Sequence, residues 1–196
     1  TQQIGLIGTE YEKTNGYRYS QTNLLNDAGQ VAGWSQRYSA GDVYLGQDAW
    51  LFDANTDQTY SFTLSTRPSD QYAFSQVNYL DDSLALGRFT LYDQSTSASL
   101  GDRAFYFSLA DGMVYVLDLL VDDLASEGWS YLANAVKGNA LGQIIGYGKL
   151  ATGGQGAFLL TPSPVPLPAA VWLFGSALFG LVFARGYRQR APTCCH

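Results

Sequence analysis

Asp53, Asn55 and Asp57 stand at the alternate spacing that opens a calcium loop. Oxygen ligands so placed can converge on a hard cation, and an EF-hand would continue with Gly at its sixth position and Glu at its twelfth. Here those positions hold Gln58 and Leu64. The same residues make an ordinary hairpin tip, so they are a weak calcium candidate, and no metal or cofactor is expected. Asp81-Asp82 and Asp122-Asp123 are paired acids. A glycosidase needs two carboxylates facing each other across a sugar, roughly 5–10 Å apart. Neighbours along a strand point to opposite faces, so these pairs read as solvated turns. The lone histidine, His196, and both cysteines, Cys194 and Cys195, close the sequence. No Ser-His-Asp, Cys-His or zinc set can form upstream of them. Gly153-Gly154-Gln155-Gly156 lacks the lysine and the helix of a phosphate loop and reads as a hairpin turn. The chain is therefore expected not to be an enzyme. Its 14 Tyr, 10 Phe and 4 Trp offer faces on which sugars stack, although alternating aromatics are ordinary strand residues. Trp34, Tyr38 and Tyr44, in or near a loop, are the surface candidates.

The elements that position these residues recur along the chain. Residues 17–27 match residues 72–82 at an offset of 55. Asn26, Gly29, Gln30 and Gly33 match Asn139, Gly142, Gln143 and Gly146 at identical spacing, and Gly87 closes the second copy. A short block follows each: Ala49-Trp50-Leu51-Phe52, Ala104-Phe105-Tyr106-Phe107 and Ala157-Phe158-Leu159-Leu160. A fixed period marks a repeat architecture. Each unit reads as a strand, an Asn-x-x-Gly turn, a strand ending in Gly, a loop and an aromatic strand. Asn and Gly suit tight turns, and alternation over residues 30–35 and 59–64 suits half-buried strands. The turn residues on this reading are Asn26, Gly29, Gly33, Gly87, Asn139, Gly142 and Gly146. A further hairpin turns at Ala110-Asp111-Gly112, and residues 117–126 suit a helical turn. Units are expected at about 16–70, 71–128 and 129–162.

The Asn-Asp-x-Gly-Gln-Val/Ile-x-Gly stretch and the Ala-aromatic block that follows it resemble the extracellular repeat family named for its His-Ala-Phe motif. The likeness spans most of residues 16–160, with Asp48, Arg103 and Gly156 where the signature His would stand. It implies an all-β, β-propeller-like array of about three units. A closed propeller typically has four or more blades, so a sandwich-like closure or a longer parent chain are the other options.

Residues 150–184 contain no Asp, Glu, Lys or Arg. As a helix, residues 165–184 would span about 30 Å, one bilayer core. Arg185, Arg188 and Arg190 follow and place that end on the cytoplasmic side. Val165, Pro166, Leu167, Pro168 and Ala169, the apolar run and the arginine cluster together resemble the VPLPA-CTERM variety of PEP-CTERM sorting signals. That resemblance implies a transmembrane helix at 168–184 within a signal at 163–190, and a cytoplasmic tail at 191–196. It also implies recognition by an exosortase, cleavage near the prolines, and passage to the cell surface or extracellular matrix of a Gram-negative bacterium. Export in turn implies a leader upstream of Thr1.

Net charge is −6, and all 17 acids precede residue 165 with eight of the 11 basic residues, which leaves that part at −9. Nucleic-acid binding needs a basic footprint and is not expected. With no cysteine in residues 1–162, no disulfide holds the body. The expected protein is all-β outside the membrane helix, an envelope or matrix component with a structural or adhesive role beside exopolysaccharide in a biofilm. The other readings are a carbohydrate- or calcium-binding module, or a fragment of a propeller hydrolase.

Overall fold

The structure, a computed structural model, describes residues 1–162. Three antiparallel meanders follow one another. The first runs β1 (Ser20–Leu25), β2 (Gln30–Tyr38), β3 (Tyr44–Asp53) and β4 (Gln58–Ser61). The second runs β5 (Ala73–Leu80), β6 (Leu84–Tyr92), β7 (Ser99–Ser108) and β8 (Met113–Val116). The third has β9 (Trp129–Gly138), β10 (Ile144–Leu150) and β11 (Gln155–Leu160). Short 3-10 turns occupy Thr9–Tyr11 and Leu117–Leu120. Sequential strands pair because their turns are short and their residues alternate between faces. Asn26 and Asn139 shape two of those turns. Each side-chain oxygen accepts the backbone N–H of the glutamine four residues on, and each amide donates to that glutamine's side chain at 2.6 and 2.8 Å. Gly29 and Gly142 sit in these turns at φ 81° and 73°.

The core lies between the meanders. Ala32, Ala49, Leu51 and Phe62 of the first meet Val77, Ala85, Phe89, Phe105 and Phe107 of the second. Leu86, Ala104 and Leu117 of the second meet Leu132, Ala135, Ile144 and Phe158 of the third. Burial of apolar area is worth about 25 cal/mol per Å², so these two seams hold the array together.

Two expectations are corrected. The array is not a propeller. A short parallel contact, Gly46↔Ala73 and Gln47↔Phe74, joins the first two meanders into one eight-stranded sheet. The third forms a separate three-stranded sheet, and neither sheet closes. Ring closure needs enough complete blades to turn a full circle, and among the described residues the third unit has no fourth strand. The second correction concerns Gly33, Gly87 and Gly146, which are not turn residues. They lie within β2, β6 and β10, and none has a positive φ. Among the described residues no helix is long and apolar enough to cross a membrane. The expected membrane helix at 168–184, Val165, Pro166, Leu167, Pro168, Ala169, and Arg185, Arg188 and Arg190 lie outside the described residues.

The three strand glycines have a common purpose. Strand one of each unit carries a register shift beside its glycine partner, between Thr22 and Leu24, between Val77 and Tyr79, and opposite Gly146. Such a bulge pushes a carbonyl toward the neighbouring strand. A Cβ on Gly33, Gly87 or Gly146 would fall within 3 Å of the carbonyl oxygen of Gln21, Gln76 or Asn134. It would also fall within 3 Å of the ring of Trp50, Phe105 or Phe158. The aromatic block of each unit folds its ring over the glycine, so Gly is needed for space and not for a turn.

Candidate functional site

A row of tyrosines and cations crosses the first two units at one end of their strands. Each unit enters through a tight loop in which a cation is followed by a tyrosine. Lys13 N–H donates to the Tyr17 carbonyl at 2.9 Å, and Arg67 N–H to the Tyr72 carbonyl at 2.8 Å. A second loop braces the first from a residue in the left-handed region, Asp42 (φ 64°) or Ser97 (φ 62°). Asp42 accepts from the Thr14 N–H and hydroxyl, both at 2.7 Å, and the Ser97 hydroxyl accepts from the Ser69 N–H at 3.1 Å. Those two Thr14 hydrogen bonds hold the Asp42 carboxyl below its usual range.

The braced loops seat each cation between two rings. Lys13 Nζ lies 5.3 Å from the Tyr17 centroid and 5.0 Å from that of Tyr38. Arg67 lies 5.0 Å from Tyr72 and 5.8 Å from Tyr92. All four distances suit a cation–π contact. Tyr17 meets Tyr38 edge-on at 6.3 Å, and Tyr72 meets Tyr92 at 6.5 Å. Tyr44, at the start of β3, reaches Tyr72 at 6.3 Å and links the two groups. Lys13, Asn15, Tyr17, Gln36, Tyr38 and Tyr44 line a shallow cavity of about 420 Å³. Burial raises the Tyr38 and Tyr44 hydroxyls above the usual phenol value, with neighbouring tyrosines adding to it. Both stay protonated at neutral pH; the Tyr38 hydroxyl donates to Gln36 Oε1, and that of Tyr44 can donate outward. Stacking faces, hydroxyls and amides can hold a polyhydroxylated chain.

The residues expected from sequence fall unevenly here. Tyr44 is 46 % exposed and belongs to the row, whereas Tyr38, expected at the surface, is 4 % exposed and forms its floor. Trp34 is half-buried and lies 5.3 Å from Tyr19, outside the cavity lining. Asp53, Asn55 and Asp57 form the expected hairpin tip. The Asp53 carboxylate accepts from the Asn55 N–H at 2.9 Å, the Asn55 amide donates to the Ala28 carbonyl, and Asp57 accepts from the Gln2 amide. Their polar groups serve the turn and the N-terminal arm. Among the described residues no three His, Cys, Asp or Glu gather as a metal site. Asp81 caps its own turn through the Ser83 and Leu84 N–H groups, which with the Ser83 hydroxyl hold its carboxyl below the usual range despite burial. Lys13, Tyr17, Arg67, Tyr72 and Tyr92 were not singled out from the sequence. A signal existed: Lys13 and Arg67, and Tyr38 and Tyr92, recur at an offset of 54.

A second polar group is buried in the first unit. Asp48, immediately before the Ala49-Trp50-Leu51-Phe52 block, is fully buried. Its Oδ2 accepts from the Tyr11 hydroxyl at 2.8 Å and from Arg37 Nη1 at 3.1 Å. Asp48 Oδ1, Arg37 Nε and Trp50 Nε1 have no hydrogen-bond partner. In the second unit Arg103 takes the equivalent place, pairs with Asp118 at 3.0 Å and lies 3.8 Å over the Tyr131 ring. Burial raises the Asp118 carboxyl, opposed by the Leu132 N–H and Arg103. Through Tyr11 the buried Asp48 carboxylate tethers the N-terminal arm to β3.

Compared with models of protein families, with curated proteins and with solved structures, the chain matches none.

Proposed function

We propose that this chain is an exported, exosortase-sorted protein of a bacterial envelope or matrix, with a structural or adhesive role and no catalytic activity. The observation that carries the reading is the order of parts. The β-body forms one compact unit that ends at Thr161, and the Val165–Ala169 motif follows within a few residues. That order suits a cargo whose sorting signal a membrane enzyme must reach. The partner is the sorting enzyme, and the apolar run with its arginines is the membrane-anchoring element until cleavage. In cells carrying the sorting enzyme, Pro166→Ala with Pro168→Ala is expected to leave membrane insertion intact and to stop release of the body, read as uncleaved precursor in the membrane fraction. Release at the ordinary rate would defeat the sorting reading.

The tyrosine row favours polysaccharide as the adhesive partner. Tyr17 and Tyr44 are 47 % and 46 % exposed; Lys13 and buried Tyr38 hold Tyr17, and Tyr72 meets Tyr44 edge-on. Removing one stacking ring costs about 1 kcal/mol, roughly a fivefold loss of affinity. Tyr17→Ala and Tyr44→Ala are each expected to weaken retention in gels containing a neutral glucan or alginate, while Tyr115→Ala on the second unit leaves it unchanged. Equal retention of all three variants would remove the row from the account.

A further inference from the structure

The seam between successive units is built twice on one plan. On the giving side, strand three opens with a left-handed glycine, Gly46 (φ 90°) or Gly101 (φ 88°). A side chain there would strike the next unit, at the Ala73 backbone or the Tyr131 side chain. Three residues on, Ala49 and Ala104 are fully buried, as are Ala32 and Leu86 on the middle strand. On the receiving side, strand one of the next unit presents Val77 or Ala135, both buried. The first seam also has polar links: Ala49 N–H donates to the Ser75 hydroxyl at 2.8 Å, and the Gln47 amide donates to the Ser75 carbonyl at 3.3 Å.

The third unit repeats the giving side, and among the described residues no element packs against it. Alignment of the aromatic blocks places Gly154, Gln155, Ala157 and Leu159 at the positions of Gly46, Gln47, Ala49 and Leu51, and Ile145 at that of Ala32. Gly154 again has positive φ, 81°, but a Cβ there would meet no atom of the described residues within 4 Å. Ile145 and Leu159 are 47 % and 59 % exposed, where Ala32 and Leu51 are fully buried. At the other end of the array, β1 is the first strand one, and among the described residues the N-terminal arm is what lies beside it. Gly5 and Leu6 of the N-terminal arm touch Ser20 and Ser35, yet Ser20, Gln21, Thr22 and Asn23 remain exposed. Ser20 aligns with Ser75. The two ends of the described array therefore carry the polar residues of the first seam: Gly-Gln-x-Ala on one and the accepting serine on the other.

We propose that the open face of the third unit docks β1 of a second copy of this chain, so that copies add head to tail. Ala157 N–H would donate to the Ser20 hydroxyl of the next copy, and Ile145 and Leu159 would be covered as Ala32 and Leu51 are. Such a contact is heterologous, and where its rotation does not close it yields open filaments. The inference stands on the β-body alone and does not depend on the sorting reading.

Cross-linking of the full chain in detergent tests it. Cys194→Ser and Cys195→Ser remove the native thiols, and Ser20→Cys or Ala157→Cys then supplies one thiol per chain. An Ala49→Cys, Ser75→Cys chain is the internal control for the geometry. Cross-linked dimer is expected when the two single variants are mixed and not from either alone, and a ladder is expected from the chain carrying both. Ile145→Arg, which replaces an exposed side chain, is expected to cut the yield by about tenfold or more with an unchanged melting curve, because it forces a charge into a dry contact. Three results would overturn the proposal. One is Ala157→Cys linking to itself, which means a back-to-back dimer. Another is Ala157→Cys protected from thiol reagents in a monomer, which means that residues beyond Thr161 cover the face. The last is an Ala157→Cys that is freely reactive with no cross-link at any concentration.

Discussion

Gly87→Ala is expected to destabilise the β-body by about 3 kcal/mol or more, at the upper end of what one added methyl costs in a packed core. The magnitude follows from what the methyl meets. It would lie within 3 Å of the Gln76 carbonyl oxygen and of the Phe105 ring, and both are held. The carbonyl belongs to the β5–β6 ladder, where Val77 pairs with Gly87. The ring is fully buried, 5.4 Å from Phe62 and 6.4 Å from Phe89. Relief therefore requires opening the ladder or emptying the seam between the first two units. Gly138→Ala is the control. Its methyl would meet only the Leu86 and Tyr79 side chains and one carbonyl, at 3.5 Å or beyond, and its φ is not positive. The change there is expected to stay within about 1 kcal/mol. Urea unfolding of the two variants checks the contrast, and equal midpoints would show that the glycine–aromatic contact does not hold the unit.

The second large effect is expected at Asp48. Asp48→Ala leaves Arg37 with no carboxylate and the buried Tyr11 hydroxyl without the Asp48 acceptor. Breaking a buried pair costs about 3–5 kcal/mol, and the lower figure applies because the Arg37 side chain is 14 % exposed and can turn toward solvent. Asp48→Asn keeps an acceptor for Tyr11 and is expected to cost less than half as much. The site also leaves a mark on the pH profile. Burial, then the Asp48 charge and hydrogen bond, push the Tyr11 hydroxyl up from 10.0 to about 12. Between those values the unfolded chain releases a proton that the folded chain keeps. Stability is therefore full below about pH 10 and falls as pH rises toward 12, by about 2–3 kcal/mol for this group. Tyr11→Phe is expected to flatten that limb. It does not abolish it, since burial also raises the Tyr38, Tyr44 and Tyr92 hydroxyls. An alkaline limb of the same slope in wild type and Tyr11→Phe would show that the arm is not tethered as described.

Much of the array was legible because it is local. The Asn26–Gln30 and Asn139–Gln143 turns involve four or five consecutive residues, whose types are restricted by backbone angles and by side chains that reach their own main chain. The repeat exposed the third copy, although it lacks the charge found at Asp48 and Arg103. The tyrosine row was less legible, since Tyr38 and Tyr44 stand out as aromatics near a loop whether they form the floor of a groove or its rim. Burial separates the two, and burial depends on where Lys13 and its loop lie.

By itself, then, the amino-acid order determined three β units, their hairpins, and an apolar, arginine-terminated stretch after Thr161. Tertiary structure alone decided why Gly33, Gly87 and Gly146 are glycine. A need for a special backbone angle and a need for empty space select the same residue, and only the ring arriving from the third strand distinguishes them. Tertiary structure also decided that the units stay open. Pairing within a meander is set by neighbours a few residues apart, whereas closure depends on the angle accumulated from seam to seam and on the number of complete units, which no single stretch of sequence encodes.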